Sequence, residues 1–142
     1  MGRVINPDSV GKRRKRLVKE IALALREMTA QTDVGASTRD LAAFITLGLQ
    51  EIADGIDVSV AAWEKRGYWV KADRFRLEWE WAGFRAKDMR EALDGEDWAT
   101  IALTIAKIAQ KIGPVKISPR HRMGRPWVGA WRLLQAGESL IY

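Results

Sequence analysis

The fold is decided by residues 41–63, which read LAAFITLGLQEIADGIDVSVAAW. Apolar side chains recur in this stretch at intervals of three and four residues, the spacing that places them on one face of an α-helix. The positions on that face are Leu41, Ile45, Leu49, Ile52, Ile56, Val60 and Trp63. Ser37 or Thr38 is predicted to cap this helix, and only Gly48 and Gly55 weaken it along its length. We therefore expect one helix of about 29 residues, roughly 43 Å long.

The same periodicity predicts three further long helices on either side of this stretch. Their expected limits are Asp8 or Ser9 to about Thr29, about Tyr68 to Leu93, and Glu96 or Asp97 to Ile112. Their apolar stripes are Leu17, Ile21, Ala24, Leu25 and Met28 in the first, Phe75, Trp79, Ala82, Ala86, Met89 and Leu93 in the third, and Trp98, Ile101, Ile105, Ile108 and Ile112 in the fourth.

The connections between these helices are short, which favours neighbours that run in opposite directions. We expect an all-α fold: an antiparallel up-and-down bundle of four main helices, with a short helix over residues 127–135 after a basic loop. The chain is interpreted as one domain, with an amino-terminal arm (1–8), a four-helix core (9–112) and a basic carboxy-terminal segment (113–142).

Composition excludes several kinds of chemistry. The 142 residues include no Cys and one His, His121, so disulfides, thiolate metal sites and any site with two imidazoles are excluded. No phosphate-binding loop, nucleophile elbow or dinucleotide fingerprint occurs. The di-iron pattern, which needs Glu-x-x-His on two helices, is also absent. We therefore predict a protein that is not an enzyme and that holds no metal or cofactor.

The third helix carries a second apolar face, about 180° from its main stripe at 100° per residue. Its members are Val70, Leu77, Trp81 and Phe84. Trp79 and Trp81 are two residues apart, so they are expected to point to nearly opposite sides. Two explanations stay open. The carboxy-terminal segment, with Trp127, Val128, Trp131 and Leu133, folds back over this face, or the face forms a homodimer, the commonest kind of oligomer.

The net charge of +6 is concentrated at the two ends of the chain. Residues 1–30 hold eight basic and three acidic side chains, whereas residues 31–66 hold three and six. In the first helix a basic ridge opposite the apolar stripe consists of Lys12, Lys15, Arg16, Lys19 and Arg26, beside Arg13 and Arg14. Positive charge in the first turns of a helix opposes the helix dipole, so helix formation does not explain this cluster.

A second basic cluster lies between Trp98 and Gly137, a stretch that contains no carboxylate. It consists of Lys107, Lys111, Lys116, Arg120, Arg122, Arg125 and Arg132. Arginine suits bidentate contacts to phosphate, and Trp127 or Trp131 is expected to be available to stack on an unpaired base.

Our main hypothesis from the sequence is a nucleic-acid-associated accessory protein. It would bind phosphate backbones through Lys12, Arg13, Lys15, Arg16, Lys19, Lys116, Arg120, Arg122, Arg125 and Trp127. No helix-turn-helix, zinc-finger or RNA-recognition signature accompanies these residues, so binding is expected to be nonspecific in sequence.

Other readings of the basic ends stay open. One is a homo-oligomeric scaffold whose basic ends bind an acidic protein partner. Another is neutralisation by the chain's own second helix, through Glu51, Asp54, Asp57 and Glu64, and a third is a merely solvated charged face. A membrane is not an expected partner, because the apolar face of the basic first helix has no Trp or Phe anchor. The longest apolar run, residues 41–49, is also far short of the roughly 20 residues needed to span a bilayer. With no secretory signal pattern, we expect a cytoplasmic location.

Overall fold

The structure is a computed structural model that describes residues 7–140. This part of the chain is all-α and contains no β-strand, which confirms the predicted helical bundle. Residues 1–6 of the expected amino-terminal arm lie outside the described residues. The five helices are α1 (Pro7–Thr29), α2 (Ala36–Lys65), α3 (Trp69–Asp94), α4 (Trp98–Ile112) and α5 (Ala130–Gln135).

The four long helices form a ring around a common core. The main packed pairs are α1 with α2, α2 with α3, α3 with α4, and α4 with α1, while the short α5 packs on α2. Consecutive helices thus lie side by side, and connections of three to six residues require the chain to reverse at each step. This is the order of contacts that an up-and-down bundle gives.

Two helix starts differ from the prediction. α1 begins at Pro7, ahead of Asp8 and Ser9, because proline is favoured at the first helical position, where its missing N–H would have no partner. α2 begins at Ala36 and has no side-chain cap. Thr38 lies in its first turn and donates a hydrogen bond from Oγ1 to the carbonyl of Asp33 at 2.6 Å. The predicted caps on both helices were therefore wrong.

The core is centred on the amino-terminal half of α2, where every residue from 41 to 49 is buried. The two glycines of α2 let α1 approach closely. A Cβ at Gly48 would lie 2.9 Å from Cδ1 of Ile21, and one at Gly55 would lie 2.8 Å from Cγ1 of Val10. The two glycines lower the helix propensity of α2, but because they have no side chain they let α1 pack tightly against it.

α4 is much shorter than its neighbours. Asp97 caps it by accepting hydrogen bonds from the backbone N–H and the hydroxyl of Thr100, which also lower the pKa of that carboxyl. With 15 residues it is about 22 Å long, against about 39 Å for the 26 residues of α3. Because α4 starts at the carboxyl end of α3, it runs beside only the second half of that helix.

The bundle therefore has two unlike ends. At the closed end, which contains Arg39, Asp40, Trp98 and Trp131, the carboxy-terminal segment packs onto the start of α2. The carboxylate of Asp40 accepts from the backbone N–H of Gly129 at 3.1 Å and of Trp131 at 3.0 Å. The open end, which contains Trp63, Phe75 and Trp79, lies beyond the reach of α4, and these three rings are only half-buried.

Candidate nucleic-acid interface

Three lysines on the outer side of α1 form an exposed row. Lys12, Lys15 and Lys19 are exposed and make no ion pair within the described part of the chain. They are three and four residues apart, so they lie on one side of the helix, about 4.5 and 6 Å apart along its axis. We call these three residues the lysine row.

The neighbouring arginines are engaged with carboxylates. Arg13 forms a two-point contact with Glu51 of α2, with Nε 2.5 Å from Oε2 and Nη2 3.2 Å from Oε1. Its Nη1 lies 3.8 Å from Oε1 of Glu20, and Nε of Arg16 lies 3.7 Å from the same oxygen. Arg13 thus ties α1 to α2, and the neutralisation by α2 considered from the sequence is found at Glu51.

Glu20 is a buried carboxyl between these arginines. Its side chain is only 1% exposed, and its Oε1 accepts no hydrogen bond among the described residues. Burial raises the pKa of Glu20, and the Glu51 charge acts in the same direction, while Arg16 and Arg13 oppose the shift. The arginines at 13 and 16 therefore serve in part to hold this carboxyl inside the protein.

The second basic cluster begins at the other end of the α1 ridge. Arg26 donates a hydrogen bond from Nη2 to the carbonyl of Val115 at 2.5 Å. Lys116, the next residue, therefore lies near the carboxyl end of the face of α1 that carries the lysine row. Lys107 and Lys111 are exposed on α4, which packs on α1. The two basic clusters are thus neighbours in the fold, although about 90 residues separate them in the sequence.

The carboxy-terminal cations, Lys116, Arg120, Arg122 and Arg125, are all exposed and make no ion pair in the described chain. Their loop is ordered by local hydrogen bonds. The backbone N–H of Arg120 donates to Oγ of Ser118 at 3.2 Å, and that of Met123 donates to Nδ1 of His121 at 3.3 Å. His121 therefore acts as a loop-building acceptor within this cluster.

The tryptophans of the carboxy-terminal segment are not free at the surface. Trp127 is 4% exposed, so its ring is packed in the core and not presented to a nucleic-acid base. Trp131 is half-buried, with the guanidinium of Arg39 5.2 Å from its ring centre. The segment as a whole covers α2, where Phe44 and Leu47 are buried, and not the second face of α3.

The residues expected at an oligomer interface are mostly exposed. Val70, Leu77 and Phe84 are 67%, 61% and 57% exposed, so no part of the described chain covers them. Trp81 is half-buried, and its ring lies 6.1 Å from that of Trp79 with 26° between the planes. The expectation that Trp79 and Trp81 point to opposite sides was wrong, because their long side chains bend back towards each other.

Sequence reasoning missed an aromatic and cationic group at the open end. The guanidinium of Arg14 lies 4.9 Å from the ring centre of Phe75 and 5.5 Å from that of Trp79, and Nζ of Lys71 lies 4.7 Å from that of Trp63. Burial lowers the pKa of Arg14, while the Glu78 charge raises it. The unequal lengths of α3 and α4 were the available signal, since they leave these rings without a fourth helix.

In the part of the chain that the structure describes, no three His, Asp or Glu side chains are grouped so that they could hold a metal ion. No described helix combines the length and the apolar character needed to cross a membrane.

No protein-family model, curated protein or solved structure matches this chain. The function must therefore be argued from the arrangement of its own residues.

Proposed function

We propose that this protein is a nucleic-acid-associated accessory protein without enzymatic activity, which binds phosphate backbones nonspecifically. The observation that carries the proposal is the hydrogen bond between Arg26 and Val115, which holds the start of the carboxy-terminal segment against α1, the helix that carries the lysine row. A surface assembled from two distant parts of the chain, with exposed cations on both, fits an extended polyanion.

The cations of α1 differ in whether a carboxylate pairs with them, and this difference supports the proposal. The lysine row is exposed and unpaired among the described side chains, whereas Arg13 is held by Glu51. Neutralising a phosphate releases a counterion only if the cation is not already neutralised by a carboxylate. We therefore assign phosphate binding to the lysine row and the carboxy-terminal cations, and a mainly structural role to Arg13.

The test is a gel shift of single-stranded and duplex DNA with a charge-reversed variant. Lys12→Glu, Lys15→Glu and Lys19→Glu together are expected to weaken binding about tenfold or more at low salt. The matched control reverses three exposed cations elsewhere, Lys65, Arg76 and Lys87, and is expected to weaken it much less. Circular dichroism should show both variants folded. Equal losses in the two variants, or no binding by the unchanged protein, would overturn the proposal.

A second candidate function is a homo-oligomeric scaffold that binds an acidic protein partner. The exposed apolar side chains of Val70, Leu77 and Phe84, seven residues apart on one side of α3, favour it, because apolar side chains exposed on one face can form an interaction surface. Light scattering after size exclusion tests it. A dimer mass that returns to the monomer mass in Leu77→Glu/Phe84→Glu supports this candidate, and a monomer mass at micromolar concentration removes the homodimer.

A further inference from the structure

An open cleft of about 770 Å³ lies at the corner between α2 and α3, at the open end of the bundle. Its lining residues are Trp63, Gly67, Tyr68, Trp69, Val70, Lys71, Arg74, Phe75 and Glu78. We call it the aromatic cleft. Four of its nine lining residues are aromatic, and neither the lysine row nor the carboxy-terminal cations contribute to the lining.

The inner wall of the cleft is fixed by packing. The rings of Trp63 and Phe75 lie 4.8 Å apart at 57°, and Lys71 lies over the Trp63 ring. The corner itself is set by Gly67, whose φ of +82° is one that glycine adopts without strain, and by a hydrogen bond from the N–H of Tyr68 to the carbonyl of Trp63 at 2.9 Å. A preformed wall of this kind can bind a flat ring without large reordering.

The outer wall offers aromatic surface to solvent. Trp69 is 63% exposed and Tyr68 is 56% exposed, although burying such rings is strongly favourable. Two exposed cations, Lys71 and Arg74, stand beside them and make no ion pair in the described chain. Glu78 is the one carboxylate in the lining, and its charge acts on the half-buried Arg14.

We propose that the aromatic cleft takes an unpaired base of a single-stranded nucleic acid. The base stacks on Trp69, the more exposed of the two outer rings, and the phosphates on either side of it contact Lys71 and Arg74. Exposed aromatic rings combined with adjacent cations are the usual means of holding single strands without reading their sequence. A duplex cannot present a base in this way, because its bases are stacked and paired.

The cleft lies at the same end of the bundle as the start of α1, the helix that carries the lysine row. Arg14 lies between Arg13 and Lys15 in α1 and reaches the ring of Phe75, which lines the cleft. The lysine row lies about 100–160° from Arg14 around the helix, so a strand bound to the row has to pass around the start of α1 to reach the cleft. The inference rests on the proposed function and adds a preference for single strands over duplexes.

The experiment compares the affinities of Trp69→Ala and of the unchanged protein for a thymidine oligonucleotide and for a blunt duplex of the same length. Because stacking one base on an aromatic ring contributes roughly 1–3 kcal/mol, we expect the variant to bind the single strand about 5- to 150-fold more weakly. Its affinity for the duplex should be unchanged. Phe84→Ala, an equally exposed aromatic position on α3 outside the cleft, is the control and should change neither affinity.

Further measurements distinguish failure of the cleft as a base site from failure of the proposed function. An oligonucleotide of abasic residues should bind the unchanged protein about as weakly as the thymidine oligonucleotide binds Trp69→Ala. If Trp69→Ala leaves single-strand binding intact, or changes the oligomeric mass instead, the cleft is not a base site, although the proposed phosphate surface stands. If the unchanged protein binds neither nucleic acid at low salt, the proposed function and this inference both fail.

Discussion

The closed and open ends of the bundle both contain aromatic residues, but different parts of the chain cover them. At the closed end Trp98 and Trp131 share the guanidinium of Arg39, and Asp40 holds the start of α5. At the open end Trp69 stands in solvent and Phe75 is covered in part by Arg14. The difference follows from the lengths of α3 and α4. Where a fourth helix and the carboxy-terminal segment reach, Phe44 and Trp127 are buried, and where they do not, Trp69 is exposed.

The two ends should differ most in how far the truncation of an aromatic side chain lowers the free energy of unfolding. Phe44, beside the closed end, is fully buried, so Phe44→Ala is expected to lower the free energy of unfolding by about 3–5 kcal/mol. Trp69→Ala removes a larger side chain at the open end and should change it by no more than about 0.5 kcal/mol. Urea denaturation measures both. Comparable losses in the two variants would show that the open end is as well packed as the closed end.

The next effect concerns how the carboxy-terminal segment is held at the closed end. Asp40→Ala leaves the N–H groups of Gly129 and Trp131 without their acceptor, which should cost about 1–3 kcal/mol. Hydrogen exchange should then become faster in residues 127–135 and stay slow in α2. Asp54→Ala, an exposed carboxylate on the same helix, is the control. Unchanged exchange in the segment would mean that Asp40 does not hold it.

A smaller, pH-dependent effect is expected at Glu20. Burial raises the pKa of Glu20 in the folded protein, so the folded state binds this proton more tightly than the unfolded state. The contribution of Glu20 to the free energy of unfolding is therefore fully present below the ordinary glutamate pKa. It is lost as pH rises through the raised pKa of the folded state. Glu20→Gln removes this loss.

Thermal unfolding from acid to neutral pH measures the effect. The Tm of Glu20→Gln should match that of the unchanged protein in acid and exceed it increasingly towards neutral pH. Glu27→Gln, a carboxylate on the same helix that is not fully buried, is the matched control. A Tm difference that is constant with pH, or that grows towards acid, would contradict this account of the buried carboxyl.

The helices could be predicted closely from the sequence because spacing and chain breakers are local signals. The predicted third and fourth helices end within a residue of Asp94 and Ile112, where Gly95 and Gly113 follow. The helix starts were less predictable. α2 begins after Gly35 without a side-chain cap, and the predicted capping residues Asp8, Ser9, Ser37 and Thr38 lie inside the helices instead.

The candidate site was only partly predictable, because exposure depends on what packs nearby. The charges of Lys12 and Arg120 could be counted, but the pairing of Arg13 with Glu51 depends on how α1 crosses α2. In the same way, Trp127 and Trp69 both lie in basic, aromatic stretches of sequence. Only the fold shows that the first is buried and the second exposed.

The central claim is that the lysine row and the carboxy-terminal cations bind phosphates as one surface. Its most direct test is the salt dependence of duplex binding, measured by fluorescence anisotropy. We expect the logarithm of the affinity to fall linearly with the logarithm of salt concentration. Changing Lys12, Lys15 and Lys19 to Gln should reduce the magnitude of that slope by roughly 3, close to one for each lysine. A slope that is the same in this variant and in the unchanged protein would contradict the claim.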